Sequence, residues 1–180
     1  VAIAPAVTVR ALDAFGNVAT GFTSAVTVSR ASGPVTALNG TVTRAAVAGV
    51  ATFDDLSMTL VGTYTLGATD GTRTAPASSS FAITPGAAAS LAFQQQPSTT
   101  VAGQNITPAV TVRAFDGFGN LATGYTGSVT LSRASGPVAT LNGTVTRAAV
   151  GGVATFGDLS INLVGTYTLG AADGTRTAPA

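Results

Sequence analysis

Apolar and polar residues alternate with a period of two along most of this chain. In Ala6-Val-Thr-Val-Arg-Ala-Leu12, Val7 and Val9 share one face while Thr8 and Arg10 share the other, and Ala109 to Phe115 repeats the pattern. Ser24 to Arg30 continues it, with Val26 and Val28 set inward and Thr27 and Ser29 outward. Shorter stretches follow at Thr41–Arg44, Val50–Phe53, Thr63–Leu66 and Ser80–Thr84. Successive side chains of a strand point to opposite faces, so each stretch predicts a half-buried strand. Turn residues separate them: Asp13–Asn17, Ser32–Pro34, Asn39-Gly40, Gly49 and Asp70-Gly71. Asn-Gly and Asp-Gly suit the positive-φ positions of tight hairpins, which are expected there. No helical period is sustained. Short strands spaced by such turns predict an all-β fold, an antiparallel sandwich.

The whole pattern then returns. Pro5–Ala77 reappears as Pro108–Ala180 at an offset of 103 residues without a gap, and 59 of the 73 pairs are identical. Two domains are expected, 1–85 and 86–180, joined through Ile83-Thr-Pro-Gly-Ala87. Units of this size are long enough to close a core of their own. Leu91-Ala-Phe93 opens the second unit and has no equivalent ahead of the first; Ser78–Thr84 ends the first and has no equivalent after the second. Out of about seven strands per complete unit, the opening strand is therefore expected to be absent from 1–85 and the closing strand from 86–180. The chain reads as a window on a longer array. Phe81 and Ile83 on one side, and Leu91 and Phe93 on the other, are candidate strand-exchange segments should neighbouring chains fill these gaps.

Composition narrows the chemistry. Lys, Glu, His, Cys and Trp are absent; eight Arg and seven Asp carry all the side-chain charge, for a net +1. Without Cys there is neither disulfide nor thiolate, and without His no acid–base shuttle or imidazole metal ligand. Without Lys there is no Schiff base and no Lys–Asn isopeptide crosslink. Ser and Thr nucleophiles have no His, Lys or Glu to activate them, so no enzyme and no cofactor are expected. The Arg residues are scattered singly, which argues against a nucleic-acid partner. The longest apolar run, Ala45–Phe53, has nine residues against the roughly 18 of a membrane helix, so no membrane insertion is expected. No signal peptide is expected in the residues that open the sequence. A surface of Thr, Ser, Gly and Asn suits an extracellular setting.

Several residues invite a sharper reading. Asp13–Asn17 and Asp116–Asn120 each offer one Asp and one Asn, fewer oxygens than calcium takes, and are read as turns in which the carboxylate caps its own backbone. Asp54-Asp55 is read as a solvated turn whose carboxylates do not converge, since strand neighbours point to opposite faces. The Thr-x-Thr runs at Thr41–Thr43, Thr63–Thr65 and Thr166–Thr168 are read as outward strand positions rather than an ice-binding ladder. Of the sequons at Asn39, Asn105 and Asn142, the two Asn-Gly ones at Asn39 and Asn142 are assigned to hairpin turns, and the Gln94–Gln96 run to a polar strand end. Arg10, Arg30, Arg44 and Arg73 recur as Arg113, Arg133, Arg147 and Arg176, which suits gatekeepers against edge pairing.

Asp116-Gly-Phe-Gly-Asn-Leu-Ala-Thr-Gly-Tyr-Thr-Gly-Ser-Val-Thr130 resembles the D-x-x-G-N-x-x-T-G-Y-T-G-x-V-T core of bacterial immunoglobulin-like tandem repeats. Such repeats build large secreted adhesins and invasin- or intimin-like surface proteins. Gly151–Leu159, Val164–Leu169 and the Ile83-Thr-Pro-Gly-Ala87 joint are similar to the later strands and joints of that family. The resemblance covers essentially the whole chain and implies immunoglobulin-like sandwiches. Tyr64 and Tyr167, just after Gly at the start of a late strand, fit a structural tyrosine corner. The function implied is a non-catalytic stalk or fibre segment at the bacterial cell surface, whose partners are neighbouring repeats of the same chain. The alternatives are an adhesive module for a glycan or host protein, with Tyr125 as the exposed aromatic, and a filament subunit that self-associates by strand exchange.

Overall fold

The computed structural model describes residues 2–178. The described residues contain strands, turns and loops and no helix. The chain divides into two compact units, Val1–Thr84 and Pro85–Ala180.

The first unit has six strands: β1 (Val7–Arg10), β2 (Ala25–Ser32), β3 (Thr43–Ala45), β4 (Val50–Phe53), β5 (Gly62–Thr69) and β6 (Phe81–Ile83). Strands β1 and β4 form one antiparallel sheet, and β3-β2-β5-β6 forms the other. The period of two sets what fills the space between them. Val26 and Val28 of β2, Ala51 and Phe53 of β4, and Tyr64 and Leu66 of β5 are buried, with Leu56 beneath them. The intervening Thr and Ser hydroxyls pair across strands on the outer face, Thr27 with Thr43 at 2.8 Å and Ser32 with Thr65 at 2.7 Å. Cross-strand pairing of that kind, added to β-propensity, explains the Thr-x-Thr runs.

The second unit has seven: β7 (Ser90–Gln95), β8 (Val110–Phe115), β9 (Ser128–Ser135), β10 (Thr146–Ala148), β11 (Val153–Phe156), β12 (Thr168–Ala172) and β13 (Thr177–Ala178). Its sheets run β11-β8-β7 and β10-β9-β12-β13, all antiparallel. First, second and fifth strands in one sheet, with the remaining four in the other, is an immunoglobulin-like sandwich. Val110, Val112, Val129, Leu131, Phe156, Leu159 and Leu169 form the core between them.

The strand missing from the first unit is the counterpart of β7, so its β1–β4 sheet has two strands where the second unit has three. At the other end, the second unit does contain the start of a closing strand. Thr177 and Ala178 pair with Ala172 and Ala171 as β13, and only the part equivalent to β6 has no counterpart. Strand β12 is correspondingly shorter than β5. It begins at Thr168; Gly62 to Tyr64 pair with β6, and among the described residues no strand pairs with Gly165 to Tyr167.

Two turn expectations are corrected. Asn39-Gly40 is not a two-residue hairpin between β2 and β3, which are joined by the longer loop of residues 33–42. Asn39 instead pairs with Ser57, each N–H donating to the other's carbonyl at 2.9 Å, and Asn142 pairs with Ser160 in the same way. Asp54 and Asp55 lie beyond the end of β4, so strand alternation does not separate them. Both carboxylates converge on Arg44, at 2.7 and 3.2 Å.

Candidate functional site

Because the two units are nearly the same sequence, each shows what the other's missing strand would cover. In the second unit β7 pairs along β8, with Leu91 opposite Ala114 and Phe93 opposite Val112. It seals the core there: Val110, Val112, Ala114, Ala122, Ala171 and Ala178 are all buried. The equivalent Val7, Val9, Ala11, Ala19 and Ala68 are only half-buried, and Ala75 is exposed. Between them runs a groove of about 340 Å³ floored by Ala11, Ala19, Phe22, Ala68 and Ala75, with Leu12 and Arg73 at its lips.

The complementary gap lies in the second unit. A cavity of about 430 Å³ is lined by Ile106, Ile161, Leu163, Val164, Tyr167 and Leu169. In the first unit that space is occupied by β6, where the Phe81 ring packs tilted against Tyr64 with centroids 6.1 Å apart and Ile83 pairs with Gly62. The four residues singled out for strand exchange are thus all engaged within their own units: Phe81 and Ile83 against β5, Leu91 and Phe93 against β8.

Tyr64 and Tyr167 occupy the same corner in each unit. The Tyr64 hydroxyl donates to the Leu60 carbonyl at 2.7 Å, and that of Tyr167 to Leu163 at 2.8 Å. Each ties the start of its strand to the connection four residues upstream, the geometry of a tyrosine corner.

Several of the Arg residues brace turns, and Arg44 and Arg147 do so from the edge strands β3 and β10. Arg30 and Arg133 donate to the carbonyls of Gly33 and Gly136, while Arg44 and Arg147 pair with Asp55 and Asp158. Thr144 supplies both hydroxyl and N–H to Asp158, and with Arg147 beside it these hold the Asp158 carboxyl down to about 2. At Asp116–Asn120 the carboxylate accepts the Phe118 and Asn120 N–H groups and the Asn120 amide, and its Oδ2 also accepts the Gly86 N–H at 3.0 Å. Led by the Asn120 amide and then Gly86, these donors hold Asp116 well below the usual carboxylate range. Both oxygens of this carboxylate accept from N–H groups, as turn capping requires.

A network that sequence reasoning missed closes over β7. Arg176 Nε donates to the Ala88 carbonyl at 3.0 Å, and its Nη1 pairs with Asp173 Oδ2. The Tyr125 hydroxyl donates to that same oxygen at 2.7 Å, and the guanidinium lies 5.6 Å from the Tyr125 ring centroid. Burial would raise the Asp173 carboxyl, but the Tyr125 hydroxyl and the Thr175 and Arg176 N–H groups outweigh it and keep it low. Tyr125 is therefore not a free surface aromatic. In the first unit Phe22 stands in its place, so Asp70 receives no phenolic hydroxyl and is held by the Arg73 guanidinium and the Thr72 and Arg73 N–H groups. The only sequence signal for this network was that Phe22-to-Tyr125 difference. Phe15 and Phe118, by contrast, stand 91% and 65% exposed at the tips of the two Asp–Asn turns.

Burial, and then the bond to Asp173, push the Tyr125 hydroxyl up to about 12, against about 10 in an unfolded chain. A raised folded value contributes stability that is complete below pH 10 and lost as pH climbs from 10 to 12. The wild-type chain is expected to show a tyrosinate absorbance step near pH 12 that Tyr125→Phe removes. An unchanged difference spectrum would contradict the hydrogen bond.

No protein-family model matches this chain, and no curated protein matches it.

Proposed function

We propose that the chain is a non-catalytic structural repeat, an extracellular stalk or fibre segment of a bacterial surface protein of the immunoglobulin-like kind its motifs resemble. The observation that carries this reading is where each unit begins and ends. The first strand and the last strand lie in different sheets, β1 and β6 in one unit, β7 and β13 in the other. Tension applied along the chain enters one sheet and leaves by the other, so the sheets must slide across the core before either ladder is peeled. The same turn locks and tyrosine corners recur in both units, as a part built for repetition requires.

Single-molecule stretching tests this. Two discrete unfolding steps are expected, each releasing on the order of 250–300 Å of chain at about 3.3–3.6 Å per residue. Smooth lengthening without steps would sink the mechanical reading.

A second reading, an adhesive module for a glycan or host protein, is favoured by Phe15 and Phe118, one at the same exposed turn tip of each unit. It predicts that Phe15→Ser with Phe118→Ser abolishes adherence of coated beads to cells; adherence that survives both changes excludes it.

A further inference from the structure

Pro85-Gly-Ala-Ala-Ala89 has the composition of a loose hinge, yet the structure holds it at successive residues. The Gly86 N–H donates to Asp116 Oδ2 at 3.0 Å, and Arg176 Nε donates to the Ala88 carbonyl at 3.0 Å. The Ala89 N–H donates to the Phe115 carbonyl at 2.7 Å, and Ala88 packs against the core of the second unit, to which all these residues belong. We infer that Asp116 and Arg176 are the fasteners of the joint: they hold residues 86–89 down on the second unit and leave Thr84 and Pro85 as its free length.

The two side chains are built for this. Asp116 divides its oxygens. Oδ1 accepts the Phe118 and Asn120 N–H groups and closes the turn, while Oδ2 reaches back 30 residues to Gly86. The residue is buried, where an acceptor left without its donor is costly. Arg176 is fixed in turn by Asp173, which also accepts the Tyr125 hydroxyl, so its Nε meets Ala88 from a set position. Asp116 follows β8 and Arg176 lies between β12 and β13, so the segment is gripped from both sheets. On the other side Ile83 is paired with Gly62 in β6. Of the two residues between, Pro85 has its φ fixed near about −65° and confines Thr84 to extended backbone. The inference concerns the joint alone and does not rest on the stalk reading.

Backbone NMR relaxation and amide exchange on the intact chain test it. Order parameters at Gly86 and Ala88 are expected near about 0.85, level with β7; values below about 0.6 overturn the inference without any variant. Asp116→Asn keeps Oδ1 for the turn and sets an amide N–H2 where Oδ2 accepts Gly86. Asp13→Asn makes the same change in the first unit's turn and serves as the control. Exchange of the Gly86 amide is expected to quicken about 10- to 100-fold in Asp116→Asn and to stay unchanged in Asp13→Asn, as loss of a bond to a charged acceptor predicts. Arg176→Lys keeps a cation beside Asp173 but has no Nε, and the Ala88 order parameter is expected to fall. With both changes, residues 84–88 are expected to move freely while the Leu91 and Val112 amides keep their protection. Gly86 and Ala88 staying ordered in the double variant would overturn the role of these side chains. Protection lost throughout β7 and β8 would overturn it too, since the pair would then brace the whole sandwich and not the joint.

Discussion

Phe156→Ala is expected to unfold the second unit at temperatures where the first stays folded. Phe156 is fully buried on β11, opposite Val110 and within the cluster of Val112, Val129 and Leu159. Removing a buried Phe side chain costs about 3–5 kcal/mol, from lost transfer energy and the cavity left behind. Against a typical domain stability of about 5–15 kcal/mol that is a large share, and it lowers the midpoint by on the order of 20 °C. The two cores share no residue: Phe53, Leu56 and Tyr64 belong to one, Phe156, Leu159 and Leu169 to the other. Calorimetry on the variant should split into two transitions, with the Tyr64 ring signals surviving the first. A single transition shifted as a whole would show that the units fold as one.

The second large effect is expected at a turn. Gly40 adopts φ +105°, and a Cβ there would lie 2.5 Å from the Asp55 carbonyl oxygen. Around it the chain is tied from both sides, by the paired Asn39 and Ser57 backbones and by Thr41, whose N–H and hydroxyl both reach Asp55 Oδ2. Gly40→Ala must adopt a left-handed conformation and also push residues 39–41 away from 55–57. Strain and overpacking together are expected to cost about 2–4 kcal/mol. Gly71 separates the two contributions. Its φ is +90° but nothing lies within 4 Å of an added Cβ, so Gly71→Ala should cost only about 1 kcal/mol. Chemical denaturation of the two variants measures the difference; equal losses would mean that the close approach to Asp55 carries no weight.

The strands were legible because alternation is a local property. Val26 and Val28 face the core wherever the loops go, and Tyr64 and Tyr167 announce themselves by following Gly at the start of a strand. The turns were legible only in part. Asn39-Gly40 looks like a hairpin to anyone who counts residues, but its partner is Ser57, reached through the fold rather than along the chain. Asp54 and Asp55 were assigned to opposite faces by extending β4 two residues too far. The contacts of Arg176 with Ala88 and of Tyr125 with Asp173 span 88 and 48 residues, and no pattern in the sequence links them. The sequence did reveal that the opening strand of the second unit has no counterpart among residues 1–84. What it lacked was the pairing register that says which side chains that strand covers.

All five described ion pairs join Arg to Asp, two within a single turn and three from β3 or β10 to the segment just after β4 or β11, and the net charge is +1. Charge is spent on bracing turns, so almost no field reaches far beyond the surface, which is left to hydroxyls, methyls and glycine. Two such molecules drawing near meet little long-range repulsion, and added salt has little to screen.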